Sequence, residues 1–223
     1  MKPDALQLDK RANVFATEAF KKGMFEVQDA SSQRVAYYLD VEPGMRVVDA
    51  CAGAGGKSLH LAARMDNKGQ LISLDIYQSK LNELKKRARR NQAHNIETRL
   101  IDNNKVIKKL YGQADRLLLD VPCTGLGVLK RNPDTKWKLR PEFLDEIRET
   151  QQEILQNYSP ILKKGGKMVY ATCSILPSEN QEQIAKFLAS EAGKDFELIK
   201  DEAVSPSKTG YDGFYMALLE KKK

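Results

Sequence analysis

Short apolar, β-branched runs alternate along this chain with longer stretches of helical spacing, and several of the runs stop at an acidic residue or a cysteine. RVVDA (Arg46 to Ala50) leads into a Gly-rich turn, an Ala/Leu stretch from Lys57 to Met65 follows, and QLISLD ends at Asp75. That order reads as β-turn-α-β. A charged helix is expected from about Gln78 to Ala93, then IETRLID to Asp102, then ADRLLLDVP, whose apolar run Leu117 to Leu119 stops at Asp120 and Pro122. Pro141 suits the first position of a helix whose Leu144, Ile147, Ile154, Leu155 and Tyr158 keep helical spacing, with Gly165-Gly166 ending it before the strand KMVYATC. Ser178 with Gln181 predicts a capping box for SENQEQIAKFLAS. FELIK and FYMALLEK read as two closing strands, the second directly after a turn at Asp212-Gly213. Such alternation predicts an α/β fold with a mostly parallel, doubly wound sheet.

The 223 residues suit one sizeable domain, and a 41% apolar content is too high for a disordered chain. Three Cys cannot build a disulfide framework, and two His offer no zinc spacing, so reduced thiols and no metal are expected. The first residues lack a signal-peptide core and no run approaches the length of a membrane span, so a cytoplasmic protein is expected. A net charge of +7 favours polyanionic partners, yet proteins that bind none also carry such a surplus.

In a doubly wound sheet, ligands bind at the carboxyl ends of strands, which here carry CAGAGGKS, DIYQSK, DNNK, DVPCTGLG and TCSILPSEN. The first is not a P-loop, because Cys51 stands where its leading Gly is required. It is not a dinucleotide fingerprint either, because Ser58 replaces the third Gly. What remains is a tight turn built on Gly53, Gly55 and Gly56, which lets a ligand approach bare backbone at a helix N-terminus. Asp75, 22 residues beyond Gly53, ends the next strand, where an acidic side chain can hold both hydroxyls of a ribose. Turn plus acid suggest an adenosine-bearing ligand. Cys123 and Cys173, 50 residues apart, lie on adjacent strand-end loops and can face one pocket. Either alone would pass for a small buried hydrophobe. A thiolate near Lys57 or a helix N-terminus would become a usable nucleophile.

Together, DACAGAGGKS, LDIYQSKL, LLLDVPCTGLGVLKRNPDTKW, MVYATCSILPSENQEQI and DGFYMALLEK resemble the RNA cytosine-5 methyltransferases of the Sun/Nop family, with the bacterial small-subunit (16S) ribosomal RNA enzymes the closest in pattern. The likeness runs from about VQDASSQ (Val27 to Gln33) to the end, and the pairing of a Pro-Cys with a Thr-Cys motif is highly specific. Ala54 stands where the family usually has Pro, and Thr124 where it usually has Ser. The resemblance implies a Rossmann-like class I methyltransferase fold with a seven-stranded, mostly parallel sheet and helices on both faces. It implies S-adenosylmethionine as cofactor, held by the Cys51, Ala52, Gly53, Ala54, Gly55, Gly56 and Lys57 loop with Asp75, Asp102 and Asp120. Asp102 would face the adenine or simply cap a turn. By the same resemblance Cys173 attacks carbon 6 of a cytosine, Cys123 assists product release, and Asp120 binds or protonates the ring edge. In DNA enzymes of this chemistry the Pro-Cys thiol attacks instead, so the assignment rests on ATCS.

A cytidine must be unpaired or flipped out to reach such a pocket. Lys130, Arg131, Lys136, Lys138 and Arg140, with Trp137 for stacking, are the first choice for an RNA track or else form a solvated loop. Lys85, Lys86, Arg87, Arg89 and Arg90 read chiefly as a solvated helix face. His60, His94 and the Cys51 side chain read as structural. The expected organisation is an N-terminal segment, 1–33, leading into a catalytic domain, 34–223, that acts as a monomer. Family members usually carry further RNA-binding sequence ahead of this region, which makes the chain a candidate catalytic fragment. Ribosomal RNA is the expected substrate, with transfer RNA behind it; a DNA methyltransferase and a non-catalytic RNA-binding assembly factor are the rivals.

Overall fold

The computed structural model describes residues 5–10 and 12–222. Seven strands, β1 (Arg46–Asp49), β2 (Gln70–Asp75), β3 (Ile96–Leu100), β4 (Ala114–Asp120), β5 (Leu162–Thr172), β6 (Phe196–Val204) and β7 (Phe214–Lys221), form one sheet in the order β3-β2-β1-β4-β5-β7-β6. The first five pair in parallel, and β7 runs antiparallel to both β5 and β6. Successive strand residues face opposite sides, which splits the Leu117-Leu118-Leu119 run between two cores. Leu117 and Leu119 join Val48, Ile72, Met168, Tyr170 and Tyr215 on one face, under Leu155, Ile184 and Phe187 of the Pro141–Tyr158 and Gln181–Leu188 helices. Leu118 joins Val47, Leu71, Val169 and Met216 on the other, against Val35, Ala36 and Leu39 of the Ala30–Leu39 helix and Leu61 of the Gly56–Arg64 helix. Strands covered on both faces have to be apolar throughout, which is why these runs lack the alternation of a half-wet strand. The strand order reverses between β1 and β4, so the crevice at their carboxyl ends is the switch point of the fold.

Three local expectations are corrected. Ser178 makes no capping box: the helix starts at Gln181, Ser178 lies in the 3-10 turn Pro177–Glu179, and no side chain caps the helix. The preceding residues are drawn inward, with Glu179 and Asn180 buried, so buried polar contacts set the start in place of an exposed cap. Gly165-Gly166 does not end the preceding helix, which stops at Tyr158 ahead of Pro160; the pair lies inside β5, Gly165 at φ +74°, where the register against β4 shifts. β6 extends four residues past FELIK, to Val204, because β7 pairs with it along its length.

The Ala30–Leu39 helix, which the motif VQDASSQ conceals, begins where the Asp29 side chain accepts from Ser31 N at 2.8 Å. Before it, Glu26 accepts from Arg87 Nη2 at 2.9 Å, from Asn91 Nδ2 at 2.6 Å and from Arg90, fastening the N-terminal stretch to the Gln78–Arg90 helix. No helix among the described residues is long and apolar enough to cross a membrane.

Candidate active site

The turn after β1 bends through Gly53 and Gly55, at φ +55° and +87°, a region glycine enters without strain. A Cβ on Gly55 would meet Leu84 Cγ at 2.5 Å, so the turn packs closely on the Gln78–Arg90 helix, and Arg87 Nη1 donates to Ala54 O at 2.8 Å. A Cβ on Gly53 or Gly56 would meet nothing within 4 Å, which leaves backbone there open to a ligand. Gly53 N donates to Asp75 Oδ2 and Tyr77 N to Asp75 Oδ1, both at 2.8 Å, so the carboxylate at the end of β2 is aimed by two backbone amides beside the turn. Each oxygen keeps accepting capacity for a hydroxyl. Asp102 is exposed after β3 and accepts from Asn103 Nδ2 at 2.8 Å; the Asn103 side chain caps the short Asn104–Lys108 helix.

Lys57, in the first turn of the Gly56–Arg64 helix, reaches Asp120 at the end of β4, Nζ to Oδ2 at 2.7 Å. The same ammonium lies 5.2 Å from the Phe214 ring centroid. Cys123 and Cys173, carried past the ends of the neighbouring strands β4 and β5, meet with their Sγ atoms 3.3 Å apart. The contact polarises the pair. The hydrogen bond from Cys123 lowers the Cys173 thiol, with Lys57 adding to the effect while burial and Asp120 oppose it. Cys123 is pushed well up by the same hydrogen bond and by burial. The two thiols are thus shifted in opposite directions by one contact. Cys51 is pushed well up by burial and by the carboxylates of Asp49, Asp120 and Asp75, so it stays an inert thiol.

Residues that sequence reasoning missed shape this pocket. Gly127 N donates to Cys173 O and Gly213 N to Gly127 O, both at 2.8 Å, so bare backbone laces the Cys123 loop to the Cys173 loop. Gly127 belongs to a Gly-Leu-Gly that carried the only available signal. The buried polar side chains are Gln151, on an otherwise ordinary helical stretch, and Glu179, in the TCSILPSEN loop, where its spacing does not set it apart from the solvated polar residues around it. Asp49, at the end of β1, is fully buried and accepts from Ser58 Oγ at 2.7 Å, and Ser58 in turn accepts from Ser73 Oγ at 2.9 Å. Burial pushes its carboxyl up from 3.8 to about 7. The folded chain therefore keeps a proton on Asp49 between about pH 4 and pH 7 that the unfolded chain has released, so stability falls as pH rises through that window and levels off above it. The Asp49→Asn variant should accordingly gain stability relative to wild type between pH 5 and pH 8, on the order of 2 kcal/mol. Urea midpoints measured across that range check it, and a difference that does not change with pH would count against a protonated Asp49.

The basic loop after Cys123 is divided. Trp137 is 80% exposed, with Lys136 Nζ 4.8 Å from its ring centroid; Lys130, Lys138 and Arg140 are exposed too. Arg131 is engaged instead with Asp212, Nη2 to Oδ2 at 2.5 Å. On the Gln78–Arg90 helix, Lys85, Lys86 and Arg89 face outward while Arg87 and Arg90 hold Glu26. His60 lies edge-on to Tyr37, ring centroids 5.8 Å apart, and His94 is an exposed residue whose amide donates to Asn67. Among the described residues no group of three or more His, Cys, Asp or Glu could hold a metal ion.

The profile of the 16S rRNA methyltransferase RsmB/F family matches residues 36–220, nearly the whole sheet and both thiols. The chain belongs to this family. Two relatives, each named ribosomal RNA small subunit methyltransferase B, are similar along 99% of the chain: the Proteus mirabilis protein at 37% identity, with 51% of its own length covered, and the Yersinia enterocolitica protein at 39%, with 52% covered. The chain spans about half the length of these curated relatives. Among solved structures, NSun6 from Pyrococcus horikoshii with SFG superposes with a TM-score of 0.86 at 26% identity, covering 96% of this chain and 57% of that one. The seven-stranded α/β architecture expected of the family is the one observed.

Proposed function

We propose that this chain is the catalytic part of an S-adenosylmethionine-dependent methyltransferase that modifies carbon 5 of a cytidine in small-subunit ribosomal RNA through a covalent Cys173 adduct. The observation that carries the proposal is the pair of thiols 3.3 Å apart at the ends of β4 and β5, one lowered by the hydrogen bond of the other. The ribosomal RNA substrate follows the names of the relatives.

The residues at the β1 end fit the cofactor. Gly53 and Gly56 leave backbone uncovered, the Gly56–Arg64 helix N-terminus suits a carboxylate, and Asp75 presents both oxygens for ribose hydroxyls. When bound, S-adenosylmethionine supplies an electrophilic methyl group on a sulfonium. The Cys173 thiolate adds to carbon 6 of the cytosine, forming an S–C6 bond and moving an electron pair to carbon 5, which is otherwise too poor a nucleophile to take a methyl group. Asp120, aimed by Lys57, takes the ring edge. Once carbon 5 has taken the methyl group, whose bond to the sulfonium sulfur breaks, loss of the carbon 5 proton to a base would drive elimination: the S–C6 bond breaks and Cys173 leaves as thiolate, with Cys123 assisting release. Lys130, Lys136 and Trp137 form the track for the unpaired RNA, Trp137 by stacking, with Arg131 bracing that loop through Asp212.

Incubation with tritiated S-adenosylmethionine and small-subunit RNA lacking the modification should place label on carbon 5 of cytosine. Trp137→Ala should weaken RNA binding about 5- to 50-fold while cofactor affinity is unchanged. Label on another atom, or cofactor and RNA binding with no transfer by the chain joined to the further sequence its relatives carry, would overturn the reading in favour of another methyl acceptor or a binding factor.

A further inference from the structure

We propose that Glu179 is the positioning residue that sets the separation of the two thiols, its buried carboxylate fastening the residue after Cys123 to the residue after Cys173. The role of the thiols rests on the cytosine-5 reading above; their geometry does not. Glu179 has no exposed surface. Its Oε1 accepts from Thr124 N at 2.9 Å and from Gln151 Nε2 at 3.0 Å; its Oε2 accepts from Thr124 Oγ1 at 2.6 Å and from Ser174 Oγ. Thr124 and Ser174 are the immediate neighbours of Cys123 and Cys173. One carboxylate therefore bridges the loops after β4 and β5 directly beside both sulfurs.

The surroundings make the bridge stiff. Gln151 Nε2 also donates to Pro122 O at 3.0 Å, so the Pro-Cys-Thr segment is held on both sides of its cysteine. Tyr170 Oη donates to Glu179 O at 2.7 Å, Thr172 Oγ1 to Asn180 Oδ1 at 2.5 Å and Asn180 Nδ2 to Ser174 O at 3.1 Å, which closes the Cys173 loop back onto the Glu179 turn. All four donors to the carboxylate are uncharged, so the charge is held by hydrogen bonds alone. Burying such a group is costly, and an apolar side chain would fill the same space at lower cost. What an apolar residue cannot do is accept from two loops at once and fix them to within tenths of an ångström, the tolerance of an S–H···S contact.

The test needs no RNA. In the full chain, the pH dependence of Cys173 alkylation by iodoacetamide, read by peptide mass spectrometry, should have its midpoint below that of an ordinary thiol. In Glu179→Ala the midpoint should rise by about one pH unit, a tenfold smaller thiolate fraction near neutrality. Glu179→Gln should restore it, because the amide oxygen still accepts from the two N–H donors and the two hydroxyls can turn to accept from its NH₂. Leu39→Ala, which loosens a core away from the thiols, should lower stability and leave the midpoint in place. If Glu179→Ala does not fold, Thr124→Val, which keeps the amide contact and loses the hydroxyl, should show a smaller rise. An unchanged midpoint in whichever of these two variants folds, or an equal rise in Leu39→Ala, sinks the proposal. A methyl-transfer assay alongside separates the two claims: a wild type without transfer but with the midpoint shift removes the cytosine-5 reading and leaves the positioning role, and active wild type without the shift does the reverse.

Discussion

Cys173→Ala should abolish methyl transfer, by at least about 10⁴-fold, because without a sulfur on carbon 6 the cytosine ring has no enamine with which to take the methyl group. Cys123→Ala should behave differently. The 3.3 Å contact gives Cys123 no role in forming the S–C6 bond beyond lowering its partner, so the first half of the reaction should run while release stalls. The product should be a protein–RNA adduct that survives denaturing electrophoresis, absent from wild type and from Cys173→Ala. The same variant removes the hydrogen bond that lowers Cys173, so adduct formation should itself be slower at neutral pH and recover as pH rises. Transfer retained by Cys173→Ala and lost by Cys123→Ala would exchange the two roles and make this chain resemble the DNA enzymes.

Gly127→Ala should damage both stability and activity although it touches no substrate. A Cβ there would lie 2.2 Å from Gly213 O and 2.7 Å from Cys173 O, both backbone atoms that cannot swing aside. The loops must separate, stretching the two 2.8 Å hydrogen bonds that lace them and moving Cys123 away from Cys173. Overpacking of this kind costs about 1–3 kcal/mol, and a displacement of about 1 Å at reacting atoms costs about 100-fold in rate. Urea denaturation and single-turnover methyl transfer measure the two losses. A variant with a lower urea midpoint and wild-type turnover would show that the thiol pair tolerates the movement.

The inner strands β1, β2, β4, β5 and β7 are legible because each carries a short apolar run buried in the sheet, whereas the edge strands β3 and β6 are only partly buried; Asp75, Asp120, Cys123 and Cys173 are legible because the fold puts chemistry where such runs stop. Their meeting is a matter of strand order: β4 and β5 are neighbours, which brings residues 50 apart to within 3.3 Å. Lys57 reads as a cofactor anchor; its observed partner, Asp120, ends β4, far along the chain from the Lys57 helix, and no local spacing reveals it. Gly165-Gly166 was ambiguous for a physical reason, since a glycine pair serves a helix end and a strand irregularity equally well, and Pro160 ends the helix first. Ser178 had the spacing of a cap, yet the burial of Glu179 and Asn180 overrode it. Gln151 and Glu179 were silent because a buried polar residue is recognised only by partners supplied from elsewhere in the chain.

The position of β7 dictates when this site can exist. Residues 214–221 insert between β5 and β6, and Gly213, the residue just before them, completes the lacing around Cys173. As a polypeptide is synthesised from its N-terminus, the parallel half of the sheet can collapse with both cysteines and Glu179 already present, but the lacing through Gly213 closes only when β7 arrives. Until then the chain carries a Cys173 loop without its Gly213 lacing and an open edge on β5. The nascent protein is thus chemically vulnerable before it is competent.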